Sequence, residues 1–183
     1  MNLEIPIDGI TLILGGARSG KSSFAEKIAR ETGKKVLFIA TATAGDDEMA
    51  ERIRNHQASR PAEWQTLELP RGIGKHLKET LADAVIVDCI SLLVNNILMS
   101  LPEDSSMEVV MHEVHEEIDG LIAAQGRCGG QWLIISNEVG MGLVPPYPLG
   151  RVYRDAIGWA NQSLAHAAKR VIFMVAGIPM IVK

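Results

Sequence analysis

Cysteine is scarce in this 183-residue chain. Only Cys89 and Cys128 occur, too few and too isolated for a disulfide framework or a zinc site. Cys89, beside an apolar run, is expected to be a small core side chain, and Cys128 a loop thiol within Gly126-Arg127-Cys128-Gly129-Gly130. Basic charge is not in excess either. Eighteen Lys and Arg face 22 Asp and Glu, giving a net charge of -4, which argues against the basic stripe of a nucleic-acid-binding surface. No stretch approaches the ~18 uninterrupted apolar residues of a membrane span, and residues 1–9 lack a basic segment followed by an apolar core. A cytoplasmic location is therefore expected. The chain also lacks internal repeats, low-complexity tracts and linkers, and its length suits one well-buried α/β domain spanning residues 1–183.

Against these absences stands Gly15-Gly16-Ala17-Arg18-Ser19-Gly20-Lys21-Ser22. It fits G-x-x-x-x-G-K-[ST], and its setting fits too. The apolar run Ile10 to Leu14 precedes it, and Ser22 to Arg30 follows with Phe24 and Ile28 at helical spacing. A strand aims the chain, and glycines let backbone N–H groups close around phosphate oxygens. A helix N-terminus adds its positive dipole end, Lys21 reaches the outer phosphates and Ser22 is placed to ligate Mg²⁺. An ordinary Gly-rich turn is the alternative, and strand-before, helix-after argues against it. The motif makes this a nucleotide-binding chain.

Further apolar runs fall at Val36–Ala40, Ala84–Asp88, Trp132–Ser136, Val171–Val175 and Ile178–Val182. Between them, helices are expected from Asp46, over Gly74–Ala82, Ser91–Ser100, Ser106–Gln125 and Arg151–Lys169, with a long connection around Trp64 and a Pro-rich loop at 145–148. Runs that are apolar throughout belong to parallel strands covered on both faces. The expected fold class is α/β: one P-loop NTPase-like domain, doubly wound, with a mostly parallel sheet and helices on both faces. In such a sheet the strand ends form the ligand crevice, which should gather Gly15, Thr41, Asp88 and Asn137 at one edge.

Asp88 ends its strand where a second carboxylate for Mg²⁺ is expected; capping the helix that follows is its alternative role. His56 falls at i, i+4, i+7 with Met49 and Ile53, on the apolar stripe of its helix. By spacing alone, a packed histidine is the commoner explanation. A neutral imidazole can also attack phosphorus and form a phosphoramidate, a good leaving group for a second acceptor. Arg52, Arg54 and Arg60 would offset phosphate charge there, or simply form a solvated face. His112 and His115 among Glu113, Glu116 and Glu117 have the spacing H-E-x-H without a third ligand, and a solvated helix face is expected. His76 and His166 have no suggestive neighbours. Asn137 to Gly142 lacks the Lys and the trailing Asp of a guanine-reading N-K-x-D, leaving a Gly- and Pro-rich loop that contacts substrate or only turns the chain.

Taken together, these segments resemble the bifunctional adenosylcobinamide kinase / adenosylcobinamide-phosphate guanylyltransferases of cobalamin biosynthesis. The resemblance rests on Gly15 to Ser22, Phe38 to Thr41, Asp46 to Ile53, His56 with Arg60-Pro61 and Trp64, Ser136 to Pro145, and Asn161-Gln162. They run in family order over almost the whole chain, and G-G-A-R-S-G-K-S with N-E-V-G-M-G is far more specific than a bare P-loop. It implies phosphorylation of adenosylcobinamide by ATP or GTP, then transfer of GMP from GTP to the phosphate product, with pyrophosphate released. It places the guanylylated histidine at His56 and nucleotide contacts at Gly15, Gly16, Ala17, Arg18, Ser19, Gly20, Lys21, Ser22, Ala40, Thr41, Ala42, Gln57, Ala58, Ser59, Arg60, Glu68 and Asp88. Ser22 and Asp88 are the implied Mg²⁺ ligands. Relatives often carry Ser at position 42 and Glu at position 88. The resemblance also implies a homotrimer whose neighbouring subunits complete the site. A small-metabolite kinase without nucleotidyl transfer, and a P-loop ATPase or switch module, are the competing expectations.

Overall fold

The computed structural model describes residues 5–31, 35–43, 51, 54, 57 and 60–183. Seven strands form one sheet: β1 (Gly9–Gly15), β2 (Val36–Ala40), β3 (Gln65–Glu68), β4 (Ala84–Asp88), β5 (Gln131–Asn137), β6 (Arg170–Val175) and β7 (Ile178–Ile181). Their order is β3-β2-β4-β5-β1-β6-β7, and all neighbours pair in parallel except β6 with β7. The helices whose bounds fall among the described residues are α1 (Lys21–Glu31), α2 (Ile73–His76), α3 (Ile90–Ser100), α4 (Met107–Cys128) and α5 (Pro148–Ala167). This is the expected doubly wound, mostly parallel P-loop NTPase-like architecture.

Each interior strand feeds two cores. Ile10 and Leu12 of β1, Leu37 and Ile39 of β2 and Val85 and Val87 of β4 pack with α3, α4 and α5. Ile13, Phe38 and Ile86 face the opposite way, toward Ala25, Ile28 and Ala29 of α1. Strands covered on both faces carry no polar alternation, which is why they stand out as apolar runs. The edge strand β3 has no such run. Only Leu67 among its four residues is half-buried, so the expected long connection around Trp64 in fact contains a strand, hydrogen-bonded to β2 alone.

Helix limits moved where tertiary contacts intervene. The expected 74–82 helix is the single turn α2. Glu117 accepts the Gly72 and Ile73 N–H groups at 2.8 and 2.9 Å, and Arg127 takes the carbonyls of Gly74 and Leu77. Both ends of α2 are thereby satisfied from α4. The backbones meet closely: a Cβ on Gly74 would lie 2.3 Å from the Gly120 carbonyl oxygen. The helix α4 begins at its Ser106 N-cap, whose hydroxyl accepts from Val109 N, and runs three residues beyond expectation. It stops at Gly129, which takes a positive φ of 66°. Cys128 is thus the last residue of a helix, half-buried against the core, and not a loop thiol. Pro148 opens α5 in its first turn, where a missing N–H costs nothing.

The β6–β7 hairpin turns through Ala176 (φ 49°) and Gly177 (φ 82°). Two consecutive left-handed residues are the signature of a two-residue type I′ turn, for which Asn-Gly is preferred and Ala is strained. Ala176→Asn should relieve on the order of 0.5 kcal/mol and raise the thermal midpoint by about 1–2 °C. An unchanged or lowered midpoint in a thermal melt would show that the turn is not strained.

Candidate active site

The register of the sheet brings four strand ends to one edge. Gly15 pairs with Asn137, Ala40 with Asp88, and Asp88 with Ile135. A cavity of about 530 Å³ opens there, lined by the loop from Ala17 to Ser22 together with Ala40, Ala42, Arg60, Asp88, Cys89 and Asn137 among others.

The loop between β1 and α1 is braced from beneath. Glu138 N donates to Gly15 O at 3.1 Å, and Gly177 N donates to Ser19 O at 3.0 Å. Gly15 has φ 150°, and a Cβ there would sit 2.6 Å from the Met174 carbonyl oxygen, so no other residue fits. Gly20, at φ 93°, passes the backbone of Gly177. Arg18 holds a left-handed φ of 55° with its side chain exposed. Lys21 starts α1, and its Nζ donates to the Gly16 carbonyl at 2.7 Å. Burial pushes the Lys21 ammonium below the ordinary lysine value, opposed by the nearby Cys89 and Asp88. Cys89 is itself pushed up by burial and the Asp88 charge, so near neutral pH the effective counter-charge is Asp88.

Arg60 supplies a second cation. Its guanidinium lies over the Phe38 ring, 3.6 Å from the centroid. Its Nε and Nη1 are buried without a hydrogen-bond partner among the described residues. Burial lowers its pKa, opposed by Asp88, Glu26 and Glu68. Asp88 is half-buried and forms no ion pair within 4 Å with either cation among the described residues. It does not cap α3, whose N-cap is Cys89 without a side-chain bond. Its carboxylate and the Ser22 hydroxyl line the same cavity. Such a pair suits a cation that takes one or two protein oxygens and completes its shell from phosphate and water, as Mg²⁺ does. No group of three His, Cys, Asp or Glu suited to a metal occurs among the described residues.

Other candidate residues are placed differently. Thr41 is fully buried; its hydroxyl donates to Cys89 O at 2.7 Å and accepts from Cys89 N at 2.8 Å. That side chain staples β2 to β4 and does not line the cavity. Gln57 and Glu68 bond each other, Nε2 to Oε1 at 2.7 Å, and neither lines the cavity. Gly15 and Gly16 support the loop from below. His56, Ala58 and Ser59, and the helix expected from Asp46, lie outside the described residues.

The histidine–glutamate face of α4 is not merely solvated. Glu113 pairs with Arg71 at 2.7 Å, Glu117 caps α2, and the His115 ring packs 3.7 Å from that of Trp159. Two features escaped the sequence reading. Asn137 Nδ2 donates to Ser91 Oγ at 2.8 Å, while Asn161 Nδ2 holds the Asn137 carbonyl. Asn96, on α3, binds the Thr41 and Pro70 carbonyls. Its signal was the Asn95-Asn96 carboxamide pair inside a mostly apolar helix. Beyond Asn137 the loop exposes Met141, Leu143, Val144 and Tyr147 at the same edge as the cavity.

Residues 11–182 match the family described as cobinamide kinase / cobinamide phosphate guanyltransferase. The chain is 43% identical over 175 residues to the bifunctional adenosylcobalamin biosynthesis protein CobP of Pseudomonas aeruginosa, spanning 94% of this chain and 96% of that one. It is 42% identical over 179 residues to the bifunctional adenosylcobalamin biosynthesis protein CobU of Salmonella typhimurium, spanning 94% and 98%. Among solved structures, flagellar accessory protein FlaH of Methanocaldococcus jannaschii is similar over 96% of this chain and 78% of its own, at 14% identity and a TM-score of 0.49, too distant to bear on the site. On the strength of the full-length sequence match, this chain belongs to the cobinamide kinase / cobinamide phosphate guanyltransferase family.

Proposed function

We propose that this protein carries out both reactions of its family at the carboxyl edge of the sheet. It phosphorylates adenosylcobinamide with a nucleoside triphosphate, then transfers GMP from GTP to the resulting phosphate. The observation that carries this reading is the convergence of Lys21, Ser22, Arg60 and Asp88 on one cavity beside the loop.

In the kinase step the acceptor hydroxyl attacks the γ-phosphorus. A new P–O bond forms as the bond to the β,γ-bridging oxygen breaks; the hydroxyl proton passes to solvent, and the nucleoside diphosphate leaves. Phosphoryl transfer asks mainly for positioning and charge neutralisation. Lys21 exchanges the Gly16 carbonyl for phosphate oxygens, gaining charge-assisted bonds. Arg60, which lines the same cavity, adds a second cation to neutralise the phosphates. Ser22 and Asp88 would hold Mg²⁺, which supplies Lewis-acid neutralisation of the phosphate charge when bound. Met141, Leu143, Val144 and Tyr147, exposed on the loop after β5, offer apolar surface to a bulky acceptor.

In the transferase step an imidazole nitrogen of His56 attacks the α-phosphorus of GTP. A P–N bond forms, the bond to the α,β-bridging oxygen breaks, and pyrophosphate departs. An oxygen of the acceptor phosphate then attacks the same phosphorus. The P–N bond breaks, returning the electron pair to the imidazole and giving adenosylcobinamide-GDP. Support for His56 comes from the sequence motif around it and from the family, and from Gln57 and Arg60, which anchor the chain just after it to Glu68 and Phe38.

Two substitutions separate the steps. His56→Ala should abolish GMP transfer to adenosylcobinamide phosphate while retaining most phosphorylation of adenosylcobinamide, each followed by product analysis; equal loss of both in folded protein argues that His56 is structural. Lys21→Ala should weaken triphosphate binding at least about tenfold, as expected for a lost charge-assisted contact. Calorimetry giving an unchanged affinity would remove the cradle assignment.

A further inference from the structure

The strand β5 lies between β1 and β4, so its last residue, Asn137, ends between the phosphate loop and Asp88. Asn137 is level with Gly15, where that loop begins. It lines the cavity together with Lys21, Ser22 and Asp88, as does Ile135, two residues earlier and on the same face of the strand. Past Asn137 the chain enters the loop that exposes Met141, Leu143, Val144 and Tyr147.

Asn137 is fixed at two points. Its carbonyl accepts from Asn161 Nδ2 at 3.1 Å, and its own Nδ2 donates to Ser91 Oγ at 2.8 Å. Ser91 is buried, and its hydroxyl is in turn 3.0 Å from Cys89 Sγ. Tying β5 to α3 accounts for the amide nitrogen. It leaves the other end unexplained, because Oδ1 has no hydrogen-bond partner among the described residues. The carboxamide cannot turn without giving up Ser91, so an acceptor of fixed position remains at the cavity. Phosphate oxygens and the Asp88 carboxylate are acceptors themselves and gain nothing from it. Among the reacting groups of the kinase step, the one donor is the hydroxyl to be phosphorylated.

We propose that Asn137 is a catalytic residue of the kinase step, its Oδ1 accepting a hydrogen bond from the acceptor hydroxyl and turning that oxygen toward the γ-phosphorus. The proposal rests on the reading of this cavity as the site of adenosylcobinamide phosphorylation. A carboxamide is no base. The new O–P bond forms, the bond to the β,γ-bridging oxygen breaks, and the proton goes on to solvent. A loose phosphoryl-transfer transition state asks for alignment more than for early proton removal, so an orienting acceptor suffices. Nucleotidyl transfer makes no such demand. Its attacking oxygen belongs to a phosphate that is largely dianionic above its second pKa of about 6 and has no proton to offer.

The test compares wild type with Asn137→Ala, which removes the carboxamide, and Ser91→Ala, which keeps it but takes away its anchor. Each is assayed at about pH 8 for phosphorylation of adenosylcobinamide by ATP or GTP and for GMP transfer to adenosylcobinamide phosphate supplied directly. Binding of a non-hydrolysable GTP analogue is measured by calorimetry. For Asn137→Ala, phosphorylation should fall at least about tenfold, with GMP transfer and affinity within about twofold of wild type. Ser91→Ala should show a smaller loss confined to the same step. Phosphorylation by Asn137→Ala at the wild-type rate overturns the proposal. So does an equal loss in both reactions, or a loss of affinity matching the loss of rate, since either marks a structural role. If Asn137→Ala does not fold, Ser91→Ala decides alone, and unchanged phosphorylation there overturns it. Wild-type protein that does not phosphorylate adenosylcobinamide overturns the reading of the cavity, and this proposal with it.

Discussion

The pairing of β1 between β5 and β6 is the constraint on which the rest of the molecule depends. It buries β1 on both faces and both edges, so the chain leaving Gly15 must turn abruptly at the carboxyl edge. Neighbouring strand ends then supply the braces. Glu138, just past β5, holds the Gly15 carbonyl, and Gly177, in the turn after β6, holds that of Ser19. The loop is thus fixed from two sides before any ligand arrives. Preorganisation of this kind is what lets backbone N–H groups and a helix N-terminus hold phosphate without ordering costs at the moment of binding.

Electrostatics at the edge follow from that geometry. Lys21 and Arg60 are both drawn out of water, and burial lowers both their pKa values. Neither has a carboxylate partner within ion-pair distance among the described residues. Lys21 makes do with a carbonyl, and Arg60 with an aromatic face. Two under-compensated cations beside a carboxylate and a hydroxyl are the charge arrangement on which the proposed binding of a polyanionic phosphate with a divalent ion rests. An apolar ligand would leave those cations unpaid.

Much of this was legible in the residues because two signals reinforce each other. The strands β1, β2, β4, β5 and β6 are covered on both sides and read as unbroken apolar runs, and the phosphate loop carries its own geometry in its glycines. Gly15 is required by a carbonyl 2.6 Å from any Cβ, a demand that appears in sequence as an invariant part of the motif. The strand β3 was missed because an edge strand with one half-buried residue carries no such run. The single turn of α2 and the long α4 were misjudged because their ends are set by Glu117, Arg127 and Gly129 through contacts distant in sequence. The role of Thr41 was only half visible. Its place at the edge follows from the strand, whereas its burial and its two bonds to Cys89 depend on β4 arriving alongside. Asn96 shows the same limit, since its partners are 55 and 26 residues away.

The account as a whole stands on where a triphosphate binds. A crystal structure of the protein with a non-hydrolysable GTP analogue and Mg²⁺ tests that most directly. The phosphates should lie against residues 16–22, with Lys21 Nζ moved from the Gly16 carbonyl onto phosphate oxygens and the metal between Ser22 and Asp88. A nucleotide bound away from this edge, with the bond from Lys21 to Gly16 intact, would contradict it.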